Sequence, residues 1–183
     1  MKKFLVVPLI LLLSACTSNP STLDTSKLTP LEESNVEDIP REYQVASLKD
    51  GLDAIPFDLK LPKELPFEAK SFKVMNIMDW NDQEDRKDIS IELLTVSEDK
   101  KGKSIQIKAR DFEVESTLPE PKEVKLKEEI DGLISITQEN KMAVIEWEKN
   151  GVTYNLLYHL GQENSFTQEE ITNELVNLAN QML

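Results

Sequence analysis

The sequence predicts an α+β domain: a single antiparallel β-sheet, twisted or curved, with a C-terminal amphipathic helix packed on it. Three observations predict it. Apolar residues recur with a period of two in short runs, and charged or Gly/Pro-bearing turns separate the runs, as in antiparallel strands with one dry face. Asn150-Gly151 lies between two such runs and suits the positive φ angles of a type I′ hairpin turn. The last run changes to helical spacing behind Thr167, with Glu170 placed to complete a capping box.

In chain order, residues 16–46 are rich in Ser, Thr, Asn, Pro and acidic side chains, with only scattered apolar positions. They read as a disordered tether, although Leu28, Leu31 and Ile39 would also suit a loosely docked arm. Order is expected from Ser47. Ser47-Leu48-Lys49-Asp50 has capping-box spacing with Asp in place of Glu, so a short helix runs to about Ala54 and Pro56 ends it. Phe57, Leu59 and Leu61 alternate with Asp58 and Lys60, the pattern of a half-buried strand stopped by Pro62 and Pro66. Phe72, Val74, Met78 and Trp80 then share a strand face with Asn76, and Ile89, Ile91 and Leu93 share another. Ile105, Ile107 and Ala109 follow, then Val124 and Leu126, then Ile134 and Ile136, with turns at residues 81–87, 97–103, 116–122 and 128–132.

Folding the chain at Asn150-Gly151 sets Trp147 opposite Tyr154, Ile145 opposite Leu156 and Ala143 opposite Tyr158 on a core face. Glu148 with Thr153 and Glu146 with Asn155 fall on the wet face. Nearer the base, Met142, Val144 and Leu157 make that second face apolar, so it requires a cover. The closing helix is the expected candidate. Phe166 and Ile171 form its hydrophobic staple. Ile171, Leu175, Leu178, Ala179 and Met182 form its apolar stripe, while Glu174, Asn177, Asn180 and Gln181 look outward. That polar side holds no Lys or Arg, which disfavours a helix lying on a membrane.

The first fifteen residues are of a different kind. Met1-Lys2-Lys3 is positive, residues 4–13 are almost uninterruptedly apolar, and Leu13-Ser14-Ala15 leads into Cys16. The segment resembles a bacterial lipoprotein signal peptide with its lipobox. That resemblance implies a diacylglyceryl group on the Cys16 sulfur and cleavage after Ala15. The apolar run is shorter than the ~20 residues a bilayer crossing requires, and Pro8 interrupts it. Two acyl chains, at ~0.8 kcal/mol per buried methylene, anchor stably where one is marginal. The expected organisation is a leader over residues 1–15, a lipidated tether over 16–46 and a globular domain over 47–183. Its place is the extracytoplasmic face of the cell membrane.

Charge and cysteine content narrow the function classes. The formal net charge of −13 falls to −15 once Lys2 and Lys3 leave with the leader. Such an acidic domain lacks the basic stripe that phosphate backbones require, so no nucleic acid is expected as a partner. Anionic headgroups repel it as well, leaving the lipid as the membrane link. Cys16 is the only cysteine, and once lipidated it leaves no thiol for disulfides, metal ligation or nucleophilic attack.

Several pieces in this order resemble a domain family of unknown function found among Bacillus-type Firmicutes. Its members occur as lipoproteins and as extracytoplasmic regions attached to anti-sigma factors. The residues carrying the resemblance are Ile55-Pro56-Phe57, the Leu61-Pro62 to Leu65-Pro66 turn, Trp147 with Asn150-Gly151 and Tyr154, and Leu178-Ala179 in the closing helix. They extend over residues 47–183 and are mostly fold positions. The acidic loops at 79–88 and 113–123 take no part, and the resemblance implies no active site.

No constellation for catalysis is expected. His159 is the sole histidine and lies in a strand, with no nucleophile elbow or recognisable Ser/Lys motif beside it. Asp79, Asp82, Glu84, Asp85 and Asp88 crowd one turn, but Glu84 stands where a calcium loop needs glycine, and Arg86 and Lys87 offset the charge. A solvated turn is the expectation, with acidic residues on wet faces elsewhere, no metal and no cofactor. Trp147, Tyr154 and Tyr158 are expected in the core rather than on a binding face. The function expected is non-catalytic binding or sensing, with the membrane reached through the lipid and an envelope protein or small hydrophobic ligand as partner. A carrier of lipid-like molecules and a hydrolase are the alternatives. Cys16→Ser should move the protein from the membrane fraction to unprocessed precursor or medium; a processed Cys16→Ser form retained on membranes without detergent would defeat the anchoring assignment.

Overall fold

Alternating sequence becomes ladder wherever a partner strand offers a matching apolar face. The computed structural model describes residues 22–31, 40–80, 88–137, 139, 141–162 and 166–183. Its strands are β1 (Leu28–Pro30), β2 (Arg41–Val45), β3 (Lys73–Asp79), β4 (Ile89–Val96), β5 (Ser104–Arg110), β6 (Lys122–Lys125), β7 (Asp131–Thr137), β8 (Met142–Lys149) and β9 (Val152–His159). The helices are α1 (Leu48–Ala54) and α2 (Gln168–Met182). All nine strands form one open sheet in the order β1-β2-β3-β4-β5-β9-β8-β7-β6, and every pairing is antiparallel. Two meanders thus meet at β5 and β9.

The β8–β9 hairpin has the expected register: Trp147 pairs with Tyr154, Ile145 with Leu156, and Ala143 with Tyr158. Asn150 and Gly151 take φ of 55° and 76°, the left-handed pair that matches strand twist. Register carries the core face across the sheet through Tyr43, Ile77, Ile91, Ala109, Tyr154 and Trp147, all buried. α2 lies on this face, and its stripe of Ile171, Leu175, Leu178, Ala179 and Met182 joins the same core. Thr167 and Glu170 form the full capping box at its start. At its other end, the ammonium groups of Lys60 and Lys149 donate to the Leu183 carbonyl at 2.5 and 3.1 Å, complementing the negative helix terminus.

Four expectations are corrected. Residues ahead of Ser47 take part in the fold: Leu23, Leu28 and Tyr43 are buried, and β1 and β2 extend the sheet. β1 is a short edge strand and needs few apolar residues; residues 1–21 and 32–39 lie outside the described region. Phe57, Leu59 and Leu61 belong to no strand. They cross the core without a ladder partner, and the Asp58 carbonyl accepts from the Tyr154 hydroxyl at 3.2 Å. A bulge between Val74 and Asn76 resets the alternation of β3, so Ile77 and Asp79 face inward and Trp80 is 46% exposed. Finally, Asn180 and Gln181 do not simply face water. Gln181 Oε1 accepts from the Lys63 and Glu64 amides at 2.9 Å, and Asn180 Oδ1 accepts from the Lys127 amide at 2.7 Å, tying α2 to two loops.

α1 also shows why a poor helix former is tolerated inside it. A Cβ on Gly51 would stand 2.7 Å from a methyl of Val74, so glycine lets the helix settle on β3. Trp147 is 3% exposed and stacks on Tyr154 with ring centroids 5.1 Å apart. Trp147→Ala should cost about 3–5 kcal/mol through lost transfer energy and the cavity left. Urea unfolding checks it, and a loss below about 1 kcal/mol, the scale of surface changes, would overturn its core role.

Candidate functional site

β5 ends mid-sheet and β6 begins at the far edge, so residues 111–121 must pass β9, β8 and β7. They pass over the second face. Asp111 Oδ1 accepts from the Ile89 amide at 2.5 Å, and Phe112 packs on Trp80 with centroids 6.0 Å apart. Near the far end, the Ser135 hydroxyl donates to the Pro119 carbonyl at 2.6 Å. Ser135 shares its face with Val144 and Leu157 by register. This strap, not the closing helix, is therefore what lies over the second face.

The strap opens a groove where it joins β6. Lys122 to Lys125 pair only with Ile134 to Asp131, so residues 135–137 of β7 extend beyond their neighbour. Continuing β6 backwards would set Pro121, Glu120 and Pro119 against them. The prolines have no amide hydrogen for a ladder, and Glu120 turns the strap with φ of 45°. The resulting open groove holds about 720 Å³. Val124, Ile134 and Ile136 form its floor, between the strap and the first turn of α2 with Gln168, Glu169 and Thr172. Four carboxylates, Glu120, Glu123, Glu139 and Glu169, face one ammonium, Lys122. Lys122 Nζ donates to Gln168 Oε1 at 3.4 Å across the walls. The helix start behind is already satisfied. Thr167 Oγ1 accepts from the Glu170 amide at 3.1 Å, and Glu170 accepts from the Thr167 amide at 2.8 Å, which holds the Glu170 carboxyl below its ordinary range.

The residues singled out in the sequence are dispersed. Cys16 lies outside the described residues, as do Asp82, Glu84, Asp85, Arg86 and Lys87 of the acidic turn. His159 Nδ1 stands 3.2 Å from the Gly161 amide, from which it accepts when unprotonated, and 3.3 Å from the Gly102 carbonyl, to which it donates when protonated, at one end of the sheet. Trp147, Tyr154 and Tyr158 are buried. Among the described residues, no group of three His, Cys, Asp or Glu side chains is placed to hold a metal ion. No described helix is long and apolar enough to cross a membrane.

The expectation that acidic residues keep to solvated faces is corrected at three positions. Asp79 is 2% exposed. Glu146 pairs with Arg110 at 3.9 Å, both side chains less than one-sixth exposed, and accepts from Asn155 Nδ2 at 3.3 Å. Asp111 is half-buried, and that burial raises its carboxyl above the ordinary value, with the nearby Asp88 and Asp79 charges adding to the effect. Non-local packing buries what composition alone would leave wet.

Comparison with known proteins gives no matching family model, no matching curated protein and no matching solved structure. The groove was not singled out in the sequence. Its signal is present in Pro119-Glu120-Pro121 directly before a strand, but its meaning depends on which strand lies alongside.

Asp111 yields a pH prediction. A folded value raised above the ordinary 3.8 means that the folded state holds this proton more tightly than the unfolded chain. Its stabilising contribution is full below the unfolded value and is lost as pH rises through the folded one. Asp111→Asn keeps an oxygen for the Ile89 amide. It should match the parent in acid and become the more stable of the two as pH rises through that window. Urea unfolding at both ends checks this, and a pH-independent difference would refute it.

Proposed function

We propose that this chain is a lipid-anchored, non-catalytic binding or sensing domain on the extracytoplasmic face of the cell membrane, with the β6–β7 groove as its ligand site. The observation that carries the reading is the groove: an apolar floor inside a rim of groups that make directional contacts. Its lining includes neither histidine nor cysteine. The hydroxyls of Ser135 and Thr172 are committed to the carbonyls of Pro119 and Gln168, at 2.6 and 2.7 Å. Such a surface is suited to holding a ligand and poorly equipped to transform one.

The described chain enters the sheet through β1, and β6 is the opposite edge. At ~4.8 Å per strand spacing, the groove beside β6 is up to roughly 40 Å from β1.

A photoreactive group at Thr172 should give a defined adduct in envelope extract, and Ile136→Lys should abolish it while the domain still unfolds cooperatively in urea. Turnover on a panel of esters, glycosides and peptides, removed by one carboxylate substitution without loss of stability, would overturn the non-catalytic reading.

A further inference from the structure

Resting on the groove as the binding site, we propose that its occupant is an extended, cationic segment of a partner protein that adds as a strand to the free end of β7. The backbone supports strand addition. Among the described residues, none pairs with 135–137 on the side away from β8, and Ser135-Ile136-Thr137 is itself sequence that favours strand conformation. Other edges of the sheet are guarded. β6 carries Lys122, Glu123 and Lys125 along four residues, and β1 is three residues long and ends in Pro30. The end of β7 has no lysine or proline of its own, and the strap turns aside there at Glu120.

The floor and rim then specify the side chains. Ile134 already pairs with Lys122 of β6, so Ile136 is the floor residue left for an added strand to meet, which favours a small apolar side chain opposite it. Four carboxylates against one ammonium favour lysine or arginine at the flanking positions, and the net charge of −13 attracts such a segment over a longer range. An open groove of about 720 Å³ admits several residues of an extended chain while letting both ends leave. A fatty-acyl ligand would bring its own carboxylate to the same four acids, so the rim disfavours it.

The test uses the full lipidated protein in nanodiscs and three labelled nine-residue peptides, read by fluorescence anisotropy. One alternates Lys with Val and Thr, the second has Glu for Lys, and the third is the Lys peptide N-methylated along one edge. The Lys peptide should bind at least about tenfold more tightly than either control. Replacing Glu120, Glu123, Glu139 and Glu169 together by Gln should weaken it about tenfold, with the melting temperature unchanged. Equal binding of the Lys and Glu peptides, or indifference to N-methylation, overturns the proposal. A dansylated fatty acid serves as the contrasting probe. If it alone binds, and Ile136→Lys releases it, the groove stands as a site and strand addition falls. If Ile136→Lys affects neither probe class, the groove itself is the wrong site and both readings fall.

Discussion

The pairing of β5 with β9 is the constraint on which the rest of this structure depends. Its seven register pairs run from Ser104 with His159 to Arg110 with Thr153. Ile105, Ile107 and Ala109 meet Tyr158, Leu156 and Tyr154 there, in the dry centre of the sheet. β5 takes the last strand as its neighbour, so the chain between must travel to the far edge and return through β6, β7 and β8. The strap over residues 111–121 follows from that topology, as does the cover it provides for the second face. The groove follows in turn, because the strap reaches β7 carrying two prolines and a turn at Glu120, and cannot pair along its whole length.

Electrostatics divide along the same line. Exposed pairs such as Lys27 with Asp50 and Lys125 with Asp131 belong to local turns and edges, where solvent screening leaves each worth little. Arg110 with Glu146 is different, since both are largely withdrawn from water on the sheet. A buried pair adds little net stability over apolar residues of similar size, yet losing one partner strands a charge. Its effect is to favour this alignment of β5, β9 and β8 over others. At the groove, by contrast, four carboxylates gather around a single ammonium, an arrangement that a cationic ligand would relieve.

Local features were legible in the chain. Asn150-Gly151, Thr167 with Glu170, and Ser47 with Asp50 each specify a turn or cap within a few residues, and the structure has all three. The faces of β4, β5, β8 and β9 were legible as well, because long uninterrupted strands keep their alternation. β3 was not, since one extra residue at Met75 inverts the pattern beyond it and nothing nearby announces the bulge. Residues 57–61 alternate like a strand, yet alternation specifies only two faces and supplies no partner.

Sequence alone was sufficient for elements whose energetics close within a hairpin or a helical turn, and for the class of sheet plus helix they compose. Whether residues 28–30 and 41–45 join the sheet depended on an open edge at β3, more than thirty residues from β1. Whether Glu146 is withdrawn from water depended on Arg110 two strands away, and whether Pro119-Glu120-Pro121 opens a groove depended on β7 extending past β6. Burial and strand pairing are properties of partners distant in the chain, so no local pattern carries them.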